Sequence, residues 1–141
     1  MPGATRSLTT AAQTSSLATV TEFVRAGAHE ARLPEARIGE LDLLMEEVVV
    51  NVCRYAYRDA SPGDLTVTYS IPSPGELEVE IADQGIEFNP LSAEPPDVTL
   101  SLEQRPIGGL GILLLKTLAT SLNYRREDGW NRLKFGISAG S

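Results

Sequence analysis

The chain has 141 residues, 42% hydrophobic and 22% charged, with a formal net charge of −7. That length suits one compact domain with its own core, taken here as residues 1–141, and the acidic balance opposes non-specific contact with nucleic acid or an anionic membrane. A nucleotide site stays open, because phosphates are held by local amides and a metal rather than by net charge. The one cysteine, Cys53, excludes an internal disulfide and suits a reducing compartment. No run reaches the ~18 apolar residues of a membrane helix, and no basic region precedes an apolar run at the N-terminus, so a cytoplasmic protein is expected.

Residues 1–14 are small and polar and read as a ragged end or one short edge strand near Arg6 to Thr9. From Ser15, Leu17, Val20, Val24 and Ala28 recur at helical steps, with Gly27 weakening the last turn, until Leu33-Pro34 ends the helix. A second helix is expected from about Glu35 to Tyr57, with Ile38, Leu41, Met45, Val48 and Val52 as its apolar stripe. It is apolar on most sides, which predicts burial against a sheet. After a turn at Ser61 to Asp64, Leu65, Val67, Tyr69 and Ile71 alternate with polar residues, as do Leu77, Val79 and Ile81, giving a hairpin with one packed face. Residues 83–108 are rich in Pro, Gly and charge, and so long a loop is usually functional. A helix from about Gly109 to Leu118 follows, then a hairpin around Asp128-Gly129 with Leu122 and Tyr124 on one arm and Leu133, Phe135 and Ile137 on the other. The order predicts an α+β two-layer sandwich: a mainly antiparallel, mixed sheet with helices on one face.

Three features carry chemistry. Glu47 and Asn51 are four apart on the apolar helix and so share a face. Taken alone, the pair is better explained by glutamates in solvent and an asparagine capping locally. Asp83 directly follows a strand, with Gly85 two residues on. A carboxylate there can accept a hydrogen bond while the backbone approaches a flat ligand, although Asp and Gly are also ordinary turn residues. Gly108, Gly109 and Gly111 open a helix whose free N–H groups suit an anion, or else serve as a hinge. It is not a Walker loop, since Leu115 stands where a glycine must precede the lysine. Nor is it a dinucleotide fingerprint, with Leu114 at the third glycine position. One histidine and one cysteine exclude a zinc cluster.

Together, in this order, "EEVVVN", "DQG" and "GGLG" resemble the N box and the two glycine boxes of the Bergerat-type ATPases, the superfamily of gyrase and the histidine kinases. Within it, "MEEVVVNVCRYAY" resembles the N-box helix of the anti-sigma-factor serine kinases, and the likeness covers nearly the whole chain. The resemblance implies an ATP- and Mg²⁺-dependent serine/threonine kinase. It makes Asn51 the Mg²⁺ ligand, Glu47 the base for the acceptor hydroxyl, and Asp83 the partner of the adenine amino group. Gly85 would let the backbone lie along the base. Gly108, Gly109, Leu110 and Gly111 would meet the phosphates, and residues 86–108 would form the lid. Arg105 would offset charge on the transferred group, although a lid arginine in solvent accounts for it as well. The sequence departs from the family pattern at Glu87, where a second glycine is expected, at Tyr55 in place of a histidine, and at Ile107 in place of an arginine. The implied partners are a sigma factor, an antagonist protein carrying the phosphorylated serine, and a second copy of the chain as a homodimer. "HEARLPEA" at His29 partly resembles a phosphoacceptor box, but only 22 residues separate His29 from Asn51, too few for a dimerisation domain. A non-catalytic ATP-dependent binder is the remaining alternative.

Overall fold

The computed structural model describes residues 5–53, 63–87 and 109–140. Their elements run β1 (Thr5–Ala11), α1 (Leu17–Glu30), α2 (Glu35–Asn51), β2 (Asp64–Ser73), β3 (Glu76–Asp83), α3 (Gly109–Leu118), β4 (Ser121–Glu127) and β5 (Trp130–Ser138). The strands form one sheet in the order β1-β2-β3-β5-β4. All four pairings are antiparallel, where the sequence allowed a mixed sheet.

The N-terminal segment is a full strand. β1 pairs with β2 from Thr5↔Ser70 to Ala11↔Asp64, longer than the short edge strand that was one of two expectations. Hydroxyl pairs on the outer face tie the two strands: Ser7 to Thr68 at 2.9 Å and Thr9 to Thr66 at 3.0 Å. Cross-strand hydroxyl contacts of this kind stabilise a pairing that has little apolar alternation of its own.

The inner face carries Leu65, Val67, Tyr69, Leu77, Val79, Ile81, Leu133, Phe135 and Ile137 into a core completed by α1 and α2. On α2, Ile38, Leu41, Met45 and Val48 are buried as the stripe predicts, joined by Leu44 and Val49. That breadth is what a helix contacting a sheet and two other helices requires, and α2 packs on both α1 and α3. Arg25 Nη2 meets Asp42 Oδ2 at 2.7 Å and clips α1 to α2. The described α-helix runs to Asn51, and Val52 and Cys53 continue it as a wider π-type turn; the rest of the expected helix, to Tyr57, lies outside the described residues. Val52 is half-buried and packs against the edge of the core, as the stripe predicts. Residues 54–62 lie outside the described part, as does the expected lid apart from Ile86 and Glu87. Among the described residues no helix is long and apolar enough to cross a membrane.

The opposite sheet face is polar. Glu80 pairs with Arg132 at 3.0 Å and with Arg125 at 3.7 Å, and Glu78 pairs with Lys134 at 3.4 Å. A hollow on this face is lined by Thr5, Thr68, Ser70, Glu78, Glu80 and Lys134, among others.

Gly27 has a packing role that its helix propensity hides. A Cβ there would lie 2.8 Å from the ring of Tyr69, which is buried and packs tilted against Phe23 with ring centroids 5.0 Å apart. The ring is rigid and held by β2, so it has little room to yield. Gly27→Ala should therefore destabilise the fold by about 1–3 kcal/mol, despite alanine's better helix propensity. Urea unfolding measures it, and a variant as stable as wild type contradicts this account of the helix–sheet contact.

Candidate functional site

Asp83 is the last residue of β3, and the sheet register explains its surroundings. It lies opposite Leu65 of β2 on one side and Asn131 of β5 on the other, and Asn131 in turn lies opposite Arg126 of β4. Residues in one cross-strand row share a face, so Asp83, Asn131 and Arg126 all project to the side that carries the helices. Asp83 is 5% exposed. Its Oδ1 accepts from the Gly85 backbone N–H at 2.9 Å and from Asn131 Nδ2 at 2.9 Å. The first of these folds Gln84 and Gly85 back over the carboxylate as an Asx-type turn. Asn131 Nδ2 also donates to the Ile86 carbonyl at 2.8 Å, Tyr124 Oη donates to Asn131 Oδ1 at 2.6 Å, and Arg126 Nη1 donates to the Gly85 carbonyl at 2.8 Å.

Two effects compete at this carboxyl. Burial penalises its charge and pushes the pKa up, while the Asn131 and Gly85 hydrogen bonds and the Arg126 charge pull it down. Burial is the larger and the net shift is upward.

The pair on α2 lies one turn apart at its C-terminal end. Glu47 is half-buried. Asn51 is 8% exposed, and its Oδ1 has no hydrogen-bond partner among the described residues. An unsatisfied buried acceptor costs about 1–3 kcal/mol, so a folded protein that keeps one usually reserves it for something else. An amide oxygen is a hard, neutral donor that suits Mg²⁺.

The expected phosphate-binding residues Gly109, Leu110 and Gly111 form the first turn of α3, which packs on α2. Gly108 and Arg105 lie outside the described residues. The structure thus joins Asp83 to Gly85 directly, and it places Glu47 and Asn51 on a helix that neighbours the glycine-opened one. Among the described residues no hydrogen bond links the α2 pair to Asp83. The hollow on the outer sheet face contains none of these residues.

Asn131, Tyr124 and Arg126 were not singled out from the sequence. Arg125, the neighbour of Arg126, and Arg132 on β5 face the other way and join the outer ion-pair network. A signal was present for Asn131: counting back in twos from Ile137, Phe135 and Leu133 places an amide on the packed face. His29 is exposed at the end of α1, 4.0 Å from Glu35, as expected of a surface histidine. Burial pushes the Cys53 thiol up, which fits a packing residue rather than a nucleophile.

The model of the histidine kinase-like ATPase domain matches residues 10–137. The chain belongs to this family. Among its relatives, the serine/threonine-protein kinase BtrW of Bordetella bronchiseptica is 31% identical over 93 residues, covering 66% of this chain and 65% of that protein. The serine-protein kinase RsbW of Listeria monocytogenes is 30% identical over 96 residues, covering 65% of this chain and 60% of that protein. This ATPase-family chain therefore matches just under two thirds of the length of either kinase. In fold it is similar to the structure of the RsbU and RsbW domains of a Mycobacterium tuberculosis protein, with a TM-score of 0.65 at 15% identity over 96% of this chain and 32% of that one. It is also similar to the histidine kinase domain of the Erythrobacter litoralis blue-light activated kinase, with a TM-score of 0.59 at 18% identity over 89% of this chain and 60% of that one.

The raised pKa of Asp83 has a defined sign in this domain. Between the unfolded and folded values the native state binds more protons. The contribution of Asp83 to stability is therefore full below the ordinary carboxylate range and is lost as pH rises through the folded value. An asparagine at 83 keeps both acceptor bonds on its carbonyl oxygen and has no charge to bury. Asp83→Asn should accordingly gain stability relative to wild type as pH rises from about 4 to about 7. Denaturant unfolding at several pH values measures the gap, and a gap that does not change with pH contradicts the upward shift.

Proposed function

We propose that this chain binds Mg·ATP and transfers the γ-phosphoryl group to a serine or threonine hydroxyl of a partner protein. The observation that carries the reading is the buried, unpartnered Oδ1 of Asn51 one turn from Glu47, in a chain of the histidine kinase-like ATPase family. The likeness to two proteins named as serine kinases supports phosphoryl transfer to a protein rather than simple hydrolysis.

Each residue has a task set by its chemistry. Asn51 would hold Mg²⁺ through its amide oxygen, and the cation would supply positive charge against the phosphates. Asp83 accepts a hydrogen bond from the adenine amino group, and Gly85 lets the backbone lie against the base. Gly108, Gly109, Leu110 and Gly111 direct N–H groups to the phosphates at the start of α3. Glu47 accepts the proton of the attacking hydroxyl, so that the oxygen is more nucleophilic as the new O–P bond forms. Arg105, in the proposed lid, has the task of offsetting charge on the transferred group. In the cell this chain is a cytoplasmic anti-sigma regulator in a partner-switching circuit. Its acceptor is an antagonist protein, its sequestered target is a sigma factor, and it works as a homodimer without touching nucleic acid or membrane itself.

Two substitutions test the division of labour. Asn51→Ala should abolish Mg²⁺-dependent ATP binding in calorimetry, and unchanged affinity with Mg²⁺ present refutes the site. Glu47→Ala should keep ATP binding and lose transfer from labelled ATP by about 10²–10⁴-fold. Full transfer removes the base role. Stable partner binding by wild type without any transfer selects a binder over a kinase.

A further inference from the structure

We propose that Asn131 is the positioning residue that sets the base preference of the nucleotide site, by locking Asp83 as a pure acceptor with one oxygen left for the ligand. The proposal rests on the ATP reading above.

The amide of Asn131 is buried, and each of its described bonds has a fixed direction. Its two N–H groups go to Asp83 Oδ1 and the Ile86 carbonyl, at 2.9 and 2.8 Å, and its oxygen receives the Tyr124 hydroxyl at 2.6 Å. Turning the amide over would set its oxygen against a carboxylate and a carbonyl, three acceptors with no proton among them. Tyr124, the diagonal neighbour of Asn131 on the same sheet face, therefore holds the amide in one orientation.

The consequence falls on Asp83. Both described donors, Gly85 N–H and Asn131 Nδ2, land on Oδ1. Oδ2 remains to meet a ligand. A carboxylate pinned in this way cannot rotate to exchange its oxygens without losing two bonds. Arg126 holds the Gly85 carbonyl from the next strand, so the turn over the carboxylate is fixed from both ends. With the N–H groups of Asn131 committed, the Asp83–Asn131 pair offers a ligand an acceptor and no donor. A base that presents an exocyclic amino group pairs with Oδ2, whereas one that presents a carbonyl oxygen meets a second acceptor. Leaving such a buried polar group unpaired is what produces large discrimination between otherwise similar ligands.

The test compares ATP with inosine triphosphate, which carries a carbonyl where ATP carries the amino group. Dissociation constants with Mg²⁺ are measured by calorimetry for wild type, Asn131→Ala and Tyr124→Phe. Wild type should prefer ATP by about tenfold or more, and Asn131→Ala should bring the ratio to within about threefold. Tyr124→Phe, which removes only a hydroxyl, should give an intermediate ratio, and it carries the comparison if Asn131→Ala does not fold. The ratio is the informative quantity, because loss of stability alone lowers both affinities together. Wild type that discriminates, with either variant discriminating equally well, overturns the proposal and leaves the ATP site standing. Wild type that binds both nucleotides equally overturns the proposal as well. Wild type that binds neither removes the ATP reading itself.

Discussion

The buried carboxylate of Asp83 is the constraint around which the sheet end is organised. Removing such a group from water costs several kcal/mol. Hydrogen bonds to a charged acceptor each return about 1.5–3 kcal/mol. The described donors number two, and the Arg126 cation adds a weaker pull. The balance is left unfavourable, which is why burial wins and the pKa moves up. A site with one more donor to offer, such as an amino group arriving with a ligand, would settle that deficit. The β4–β5 hairpin supplies most of the existing compensation: Asn131 and Arg126 come from opposite arms of it, separated from the turn by the Glu127–Trp130 pair. That turn is closed by Asp128 and Gly129, both at positive φ, so the tight hairpin that the Asp-Gly pair dictates is also what sets the row in register.

The second unresolved polar demand is on α2. Asn51 Oδ1 is buried without a partner among the described residues, at the point where the α-helix gives way to a wider π-type turn at Val52 and Cys53. Such turns recur where a side chain must be aimed at a site rather than packed. The proposed nucleotide would answer both demands: adenine would bring a donor to the carboxylate, and a metal-bound triphosphate would bring a cation to the amide oxygen. The family to which the chain belongs makes that combination the economical reading.

How legible this was in the sequence depends on what drove each element. The inner strands were clear because Leu65 to Ile71 and Leu77 to Ile81 alternate strictly, and alternation is enforced by a sheet with one packed face. α2 was clear because apolar residues fill a broad face from Ile38 to Val49. β1 was ambiguous because its stability rests on partners distant in sequence: Thr and Ser hydroxyls bond to β2 some sixty residues on. Glu47, Asn51 and Asp83 stand in the sequence as an ordered set of motifs, whereas the hydrogen bonds of Asn131 and Tyr124 exist only in the cross-strand register. In sequence Gly27 is only a local weakness of a helix, whereas the Tyr69 ring beneath it makes it a contact requirement.

The central claim is that Asn51 and Asp83 serve one bound nucleotide. The most direct measurement is a titration of isotope-labelled protein with Mg·ATP, followed by NMR at the Asn51 and Asn131 side-chain amides and the Gly85 backbone amide. The account predicts that all three shift along a single saturable curve with one dissociation constant. Shifts confined to the outer sheet face around Thr68 and Lys134, or separate curves for Asn51 and Gly85, would contradict it.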